Sequence, residues 1–140
     1  MNRGVGPCVG ALLIAALFAG EAALFAGGAA AQSLSPMRGE VRSLEDAFAV
    51  KLRVRNPYER TVGVEIRAYD RRFRPIRVLA SATRLPVAAG DERTVTVLVP
   101  FGKRQQRRVR ICAESLPFRA KPNATRVRTR ICGRFLGKRF

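Results

Sequence analysis

The chain has 140 residues, 27 Lys and Arg against 10 Asp and Glu, a formal charge of +17, and neither histidine nor tryptophan. That length supports one domain with one core and excludes two. The missing histidine removes the usual general base, the commonest metal ligand and a switch near neutral pH.

Residues 1–31 read as a signal peptide. Arg3 and the free amino terminus form a weak positive start, residues 9–18 are apolar, and Gly27-Gly-Ala-Ala-Ala31 supplies small residues for cleavage before Gln32. Ala15-Ala-Leu-Phe-Ala-Gly20 recurs as Ala22-Ala-Leu-Phe-Ala-Gly27, which lengthens the apolar stretch. An uncleaved anchor is the rival reading, but Glu21 near the centre and the Ala/Gly richness disfavour it. The expected location is periplasmic or secreted.

Residues 32–46 are expected to form a loose N-terminal lead-in followed by a short edge strand at 40–44. Residues 47–140 are expected to form a single β-sandwich domain. Phe48, Val50, Leu52 and Val54 alternate with polar or small residues in a strand ended by Asn56-Pro57. Over residues 61–69, Val62, Val64, Ile66 and Ala68 face inward while Glu65, Arg67 and Tyr69 face out. Asp70-Arg-Arg-Phe-Arg-Pro75 is a turn, because Pro75 cannot occupy a central ladder position. Residues 76–79 suit a short edge strand, Leu85-Pro86 and Ala89-Gly90-Asp91 punctuate the chain, and Val95, Val97, Val99 and Phe101 make another buried face. Residues 103–108 form a basic loop.

Two further runs, residues 107–113 and 126–132, alternate apolar and cationic residues and carry one cysteine each. Pairing them antiparallel with Cys112 opposite Cys132 sets Ile111 against Gly133, Val109 against Phe135 and Arg110 against Arg134. Both apolar faces then point to one side. With Cys8 in the leader, Cys112 and Cys132 remain as an even pair, the pattern of a disulfide in an exported protein. No further ligands stand at metal spacing, so neither a metal nor any other cofactor is expected. Seven or so short strands without helical periodicity define an all-β antiparallel sandwich of immunoglobulin size after the signal peptide.

Leu52-Arg-Val-Arg-Asn56 followed by Val62-Gly-Val-Glu-Ile66, and Leu85-Pro-Val-Ala-Ala-Gly90 followed by Val95-Thr-Val-Leu-Val99, resemble PapD-like immunoglobulin domains. That group includes bacterial periplasmic pilus chaperones. In it an Asn ends an early strand and a Pro…Gly turn precedes a Val-rich strand. The resemblance covers residues 47–101 and implies an immunoglobulin-like sandwich. The chaperones themselves have two domains and anchor a client carboxylate with an Arg/Lys pair in the cleft between them; no residue here matches that pair. The chain is also similar to small exported proteins of alphaproteobacteria, which implies location alone.

Pairing the two cysteine runs leaves a cationic face outward. Arg108, Arg110, Arg126, Arg128, Arg130 and Arg134, joined by Arg67 and Tyr69, are the expected binding residues. Like charges opposite one another on a sheet cost about 0.2–1 kcal/mol per pair, so an anionic partner that neutralises them is favoured. Arginine suits phosphate and carboxylate because its planar fork binds both bidentately. The expected partner is an anionic envelope component (lipid phosphate, lipopolysaccharide, peptidoglycan, or the membrane surface they form) or an acidic protein. Nucleic acid ranks below these, because aromatic residues that stack on bases are sparse. No carboxylate pair or activated nucleophile supports an enzyme. The alternative function is a structural or assembly protein, like a pilus chaperone, whose exposed edge strand pairs with a partner.

Overall fold

Period-two alternation of Val, Ile and Phe with polar residues builds this molecule, and the strands follow it closely. The computed structural model describes residues 32–115 and 128–140. The expected signal peptide and Arg126 lie outside the described residues, as does most of the link between the two cysteine runs.

Nine strands follow in chain order: β1 (Ser33–Ser35), β2 (Arg38–Ser43), β3 (Ala47–Arg55), β4 (Val62–Tyr69), β5 (Leu79–Ala80), β6 (Arg84–Val87), β7 (Glu92–Pro100), β8 (Gln106–Ser115) and β9 (Arg130–Arg139). They form a four-stranded sheet, β1-β3-β7-β5, and a five-stranded sheet, β2-β9-β8-β4-β6. The architecture is an all-β immunoglobulin-like sandwich, as expected. Every pairing is antiparallel except β2 with β9, which run parallel. The proposed register of the cysteine runs is present in full: Cys112 opposite Cys132, Ile111 opposite Gly133, Arg110 opposite Arg134 and Val109 opposite Phe135.

Two stretches differ from expectation. The lead-in expected to be loose contains β1, which pairs with the end of β3 and buries Leu34. After Pro36 the chain changes sheets and becomes β2, so one segment edges both sheets in turn. Leu85-Pro86, expected to interrupt the chain, lies inside β6. Proline is tolerated there because β6 is the outermost strand of its sheet.

The core lies between the sheets. Leu52, Val54, Val62, Val64, Val95, Val97, Val99 and Ile111 are all at most 1 % exposed. Phe48 stacks on Phe101 with ring centroids 5.1 Å apart. Gly137 on β9 is required beneath them, because a Cβ there would stand 2.3 Å from the Phe48 ring. Asn56, 1 % exposed, latches one end of the sandwich. Its amide donates to the carbonyls of Arg60 (2.7 Å), Val87 (2.9 Å) and Ala88 (3.0 Å), and its oxygen accepts from the Tyr58 N–H (3.0 Å). This is the strand-ending Asn on which the sequence resemblance rests.

Candidate binding surface

The outward face of the five-stranded sheet carries the residues expected to bind. Strand register lines them up in rows across the sheet. Arg38, Arg134, Arg110 and Tyr69 are successive partners on β2, β9, β8 and β4. Cys132, Cys112 and Arg67 form the next row, and Arg130, Glu114, Glu65 and Arg84 the one after. The cysteines are joined in a disulfide, with Cys112 fully buried.

This face divides in two. In one half the arginines are already neutralised. Arg130 donates to Glu114 at 2.9 Å and lies over the Tyr69 ring, 5.2 Å from its centroid. The Tyr69 hydroxyl donates to the same carboxylate at 2.5 Å. Burial, together with this hydrogen bond to Glu114, raises the Tyr69 pKa and keeps the phenol protonated. Arg67 and Arg84 both pair with Glu65, at 3.0 and 3.4 Å. Burial works to raise the Glu65 pKa, but the Arg67 and Arg84 guanidiniums outweigh it and hold the carboxyl below its ordinary range. Tyr69, expected to be open, is buried: Phe73 packs against it at 6.0 Å and Glu114 engages its hydroxyl.

The other half is not neutralised. Arg38, Arg108, Arg110 and Arg134 line a concavity of about 770 Å³ with Arg71, Gly39, Phe135 and one carboxylate, Glu40, which pairs with Arg42 and Lys138 instead. Among the described residues, none of the five arginines lining it has a carboxylate within 4.0 Å. Arg110 leans instead on the Phe73 ring, 4.5 Å from its centroid, and its Nε is buried without a hydrogen-bond partner. Arg128, just before β9, is exposed.

Sequence reasoning missed Arg38, Arg71, Arg72, Arg74 and Arg104. Arg38 is placed by the parallel pairing of β2 with β9, and the β4–β8 register carries the signal that would have found the other four. With Tyr69 opposite Arg110, the turn that follows β4 comes back beside the chain that enters β8. There a second concavity, about 570 Å³, is lined by Arg71, Arg72, Arg74, Arg104, Gln106 and Arg108 together with Asp70. Arg107, on the inward side of β8, instead donates to the Pro100 carbonyl, and burial with the neighbouring Arg104 charge lowers its pKa.

Beside the arginines runs an open sheet edge. Arg134 N–H donates to Met37 C=O and Phe140 N–H to Ser43 C=O. In a parallel ladder this alternation turns the N–H and C=O of Gly39, Val41 and Ser43 toward β9. Those of Arg38, Glu40 and Arg42 therefore point away from the sheet, and among the described residues no further strand lies there. Glu40 pairs with Lys138 at 2.8 Å and Arg42 at 3.5 Å. The Lys138 hydrogen bond is the main cause of its lowered pKa.

The described residues hold no cluster of three or more potential metal ligands, and none of their helices is long and apolar enough to cross a membrane. No protein-family model and no curated protein matches the sequence. Solved structures do match it. A Salmonella enterica complex of the SafA pilin with the SafB chaperone aligns at TM-score 0.66 with 14 % identity, over 78 % of this chain and 54 % of that one. The Escherichia coli chaperone DraB aligns at TM-score 0.63 with 11 % identity, over 78 % and 55 %. The fold is PapD-like. An Acinetobacter baumannii CsuC–CsuE chaperone–adhesion subunit complex aligns at TM-score 0.52 and 15 % identity, over 79 % and 52 %. The PapD-like domain thus spans about half the length of the chains it matches.

Proposed function

We propose that this protein is a non-catalytic, periplasmic assembly protein that holds an extended acidic segment of a partner protein by adding it as a strand to the free edge of β2. The observation that carries the reading is that edge. Three residues in alternation, Arg38, Glu40 and Arg42, present backbone donors and acceptors that no other described strand pairs, over a six-residue strand. Other sheet margins are blunter: β5 has two residues, β1 has three and precedes Pro36, and β6 contains Pro86. Residues 47–52 of β3 are also uncovered, but they lack the cationic border that β2 shares with Arg108 and Arg134.

Charged side chains on an edge suppress indiscriminate pairing, so a strand that docks must match them. An acidic segment matches Arg38, Arg42 and the unneutralised arginines beside them. A pilin–chaperone complex and a chaperone–tip subunit complex stand among the structures of similar fold, which supports a protein partner. Export through residues 1–31 fits the Cys112–Cys132 disulfide, since such bonds persist in the periplasm.

The test uses two synthetic seven-residue peptides, one alternating Val and Glu, the other Val and Lys. The Val/Glu peptide is expected to bind and to protect the amides of Arg38, Glu40 and Arg42 from hydrogen exchange. Arg42→Pro removes an outward N–H without touching the β9 ladder, so it is expected to weaken binding about tenfold while leaving the fold intact. Equal binding of the Val/Lys peptide, or indifference to Arg42→Pro, overturns the proposal.

A further inference from the structure

The turn after β4 is built at a cost. Phe73 has φ 58°, a left-handed conformation that bulky residues rarely adopt and that costs on the order of 1–3 kcal/mol. The turn is nevertheless fixed from several sides. Asp70 Oδ1 accepts from the N–H of Arg72 (2.7 Å) and of Arg74 (2.9 Å), and Asp70 N–H donates to Arg74 C=O (2.9 Å). The Phe73 ring is wedged between Tyr69 and the Arg110 guanidinium. Core packing does not explain the expense, because Arg71, Arg72, Phe73 and Arg74 are all exposed. The fixed turn holds three guanidiniums toward the 102–105 turn, which brings Arg104, and toward the start of β8, which brings Arg108.

Five guanidiniums therefore line one concavity against one carboxylate, and that carboxylate is engaged by backbone. The Arg74 backbone hydrogen bond is the main cause of the lowered Asp70 pKa, so Asp70 stays ionised as the turn's internal clamp. Among the described residues, no carboxylate lies within 4.0 Å of the guanidinium of Arg71, Arg72, Arg74, Arg104 or Arg108, the Asp70 carboxylate meeting Arg72 and Arg74 only through their backbone N–H groups. About four positive charges remain. One carboxylate would leave most of them unmatched. A chain of two or three phosphoryl groups carries enough charge, and its oxygens accept several forked guanidinium bonds at once. A volume of about 570 Å³ admits such a group.

We propose that the cradle formed by Arg71, Arg72, Arg74, Arg104 and Arg108 is a binding site for a di- or polyphosphate group, carried on a lipid headgroup or free in solution. The cradle shares Arg71 and Arg108 with the concavity beside β2 but does not use the backbone edge of β2, so Arg42→Pro tests strand addition and the Arg72→Ala, Arg104→Ala variant tests the cradle.

Calorimetric titration of the full chain with inorganic tripolyphosphate tests it. Saturable one-to-one binding is expected, weakened at least about tenfold by the double substitution Arg72→Ala, Arg104→Ala. A charge-matched control, Lys51→Ala with Arg55→Ala on the opposite sheet, is expected to change binding less than about threefold. Phosphatidylcholine vesicles with and without a prenyl diphosphate identify the source. Diphosphate-lipid-dependent binding lost in the cradle variant assigns a lipid, and its absence beside tripolyphosphate binding assigns a free polyphosphate. Equal loss in both double variants, or a poly-glutamate peptide bound as tightly and weakened as much by Arg72→Ala, Arg104→Ala, overturns the proposal. Thermal unfolding of each variant separates loss of fold from loss of site.

Discussion

Asn56 shows what one buried polar side chain can hold. Its amide and carbonyl make four hydrogen bonds that tie the end of β3 to the 57–60 loop and to residues 87–88. Removing it leaves three carbonyls and one N–H to find partners in a space water enters poorly. Asn56→Ala is therefore expected to destabilise the domain by about 2–3 kcal/mol in urea unfolding. Asn56→Asp is expected to cost more, since it sets a carboxylate among three carbonyl oxygens. A loss under about 0.5 kcal/mol for the alanine variant would show that solvent satisfies those groups. The sequence marked this residue only as a strand terminator. Its partners, 31 and 32 residues away, become visible once β6 and β7 are placed.

At the scale of elements, the β8–β9 ribbon was legible because one register met two independent demands. Val109, Ile111 and Phe135 needed burial, and Cys112 and Cys132 needed each other. The register itself sets Glu114 opposite Arg130, so Glu114 and Glu65 were the carboxylates within reach of the cationic face. What the alternation could not show is that Glu65, on β4, takes both Arg67 and Arg84, and that Glu114 also holds Tyr69 across 45 residues, which leaves the other half of the face without a partner. Nor could it give β1, whose short polar sequence is held by pairing rather than by hydrophobic pattern, although the edge strand expected at 40–44 is present as β2. The disulfide closes a 20-residue separation that includes the β8–β9 link. The chain-entropy account rates such a loop at about 3 kcal/mol, so Cys112→Ala with Cys132→Ala is expected to lower unfolding free energy by about that amount. Measured in urea with and without reductant, the parent should lose the same increment on reduction and the double variant none. A parent insensitive to reduction would show that the ladder alone sets stability there.

At the scale of the molecule, two opposing electrostatic effects coexist, and their balance can be measured. Three of the ion pairs are exposed on both sides, and such pairs are worth about 0–1 kcal/mol each and weaken with salt. Against them stands a surplus of 17 positive charges, concentrated where Arg38, Arg108, Arg110 and Arg134 crowd one half of a sheet and where five arginines share the cradle. Self-repulsion of a strongly charged chain opposes the compact state and is screened over the Debye length, about 30 Å at 0.01 M and about 8 Å at 0.15 M. Repulsion outnumbers attraction here, so raising sodium chloride across that range is expected to raise the melting temperature by a few degrees, not lower it. Phosphate ions at matched ionic strength should raise it further, because occupancy of a site present only in the folded state adds stability by mass action. That second increment should vanish in the Arg72→Ala, Arg104→Ala variant while the chloride increment persists. A melting temperature that falls with chloride would mean that the Glu65 and Glu114 pairs dominate the fold's electrostatics. Identical curves in chloride and phosphate would mean that the crowded arginines act only as a diffuse field.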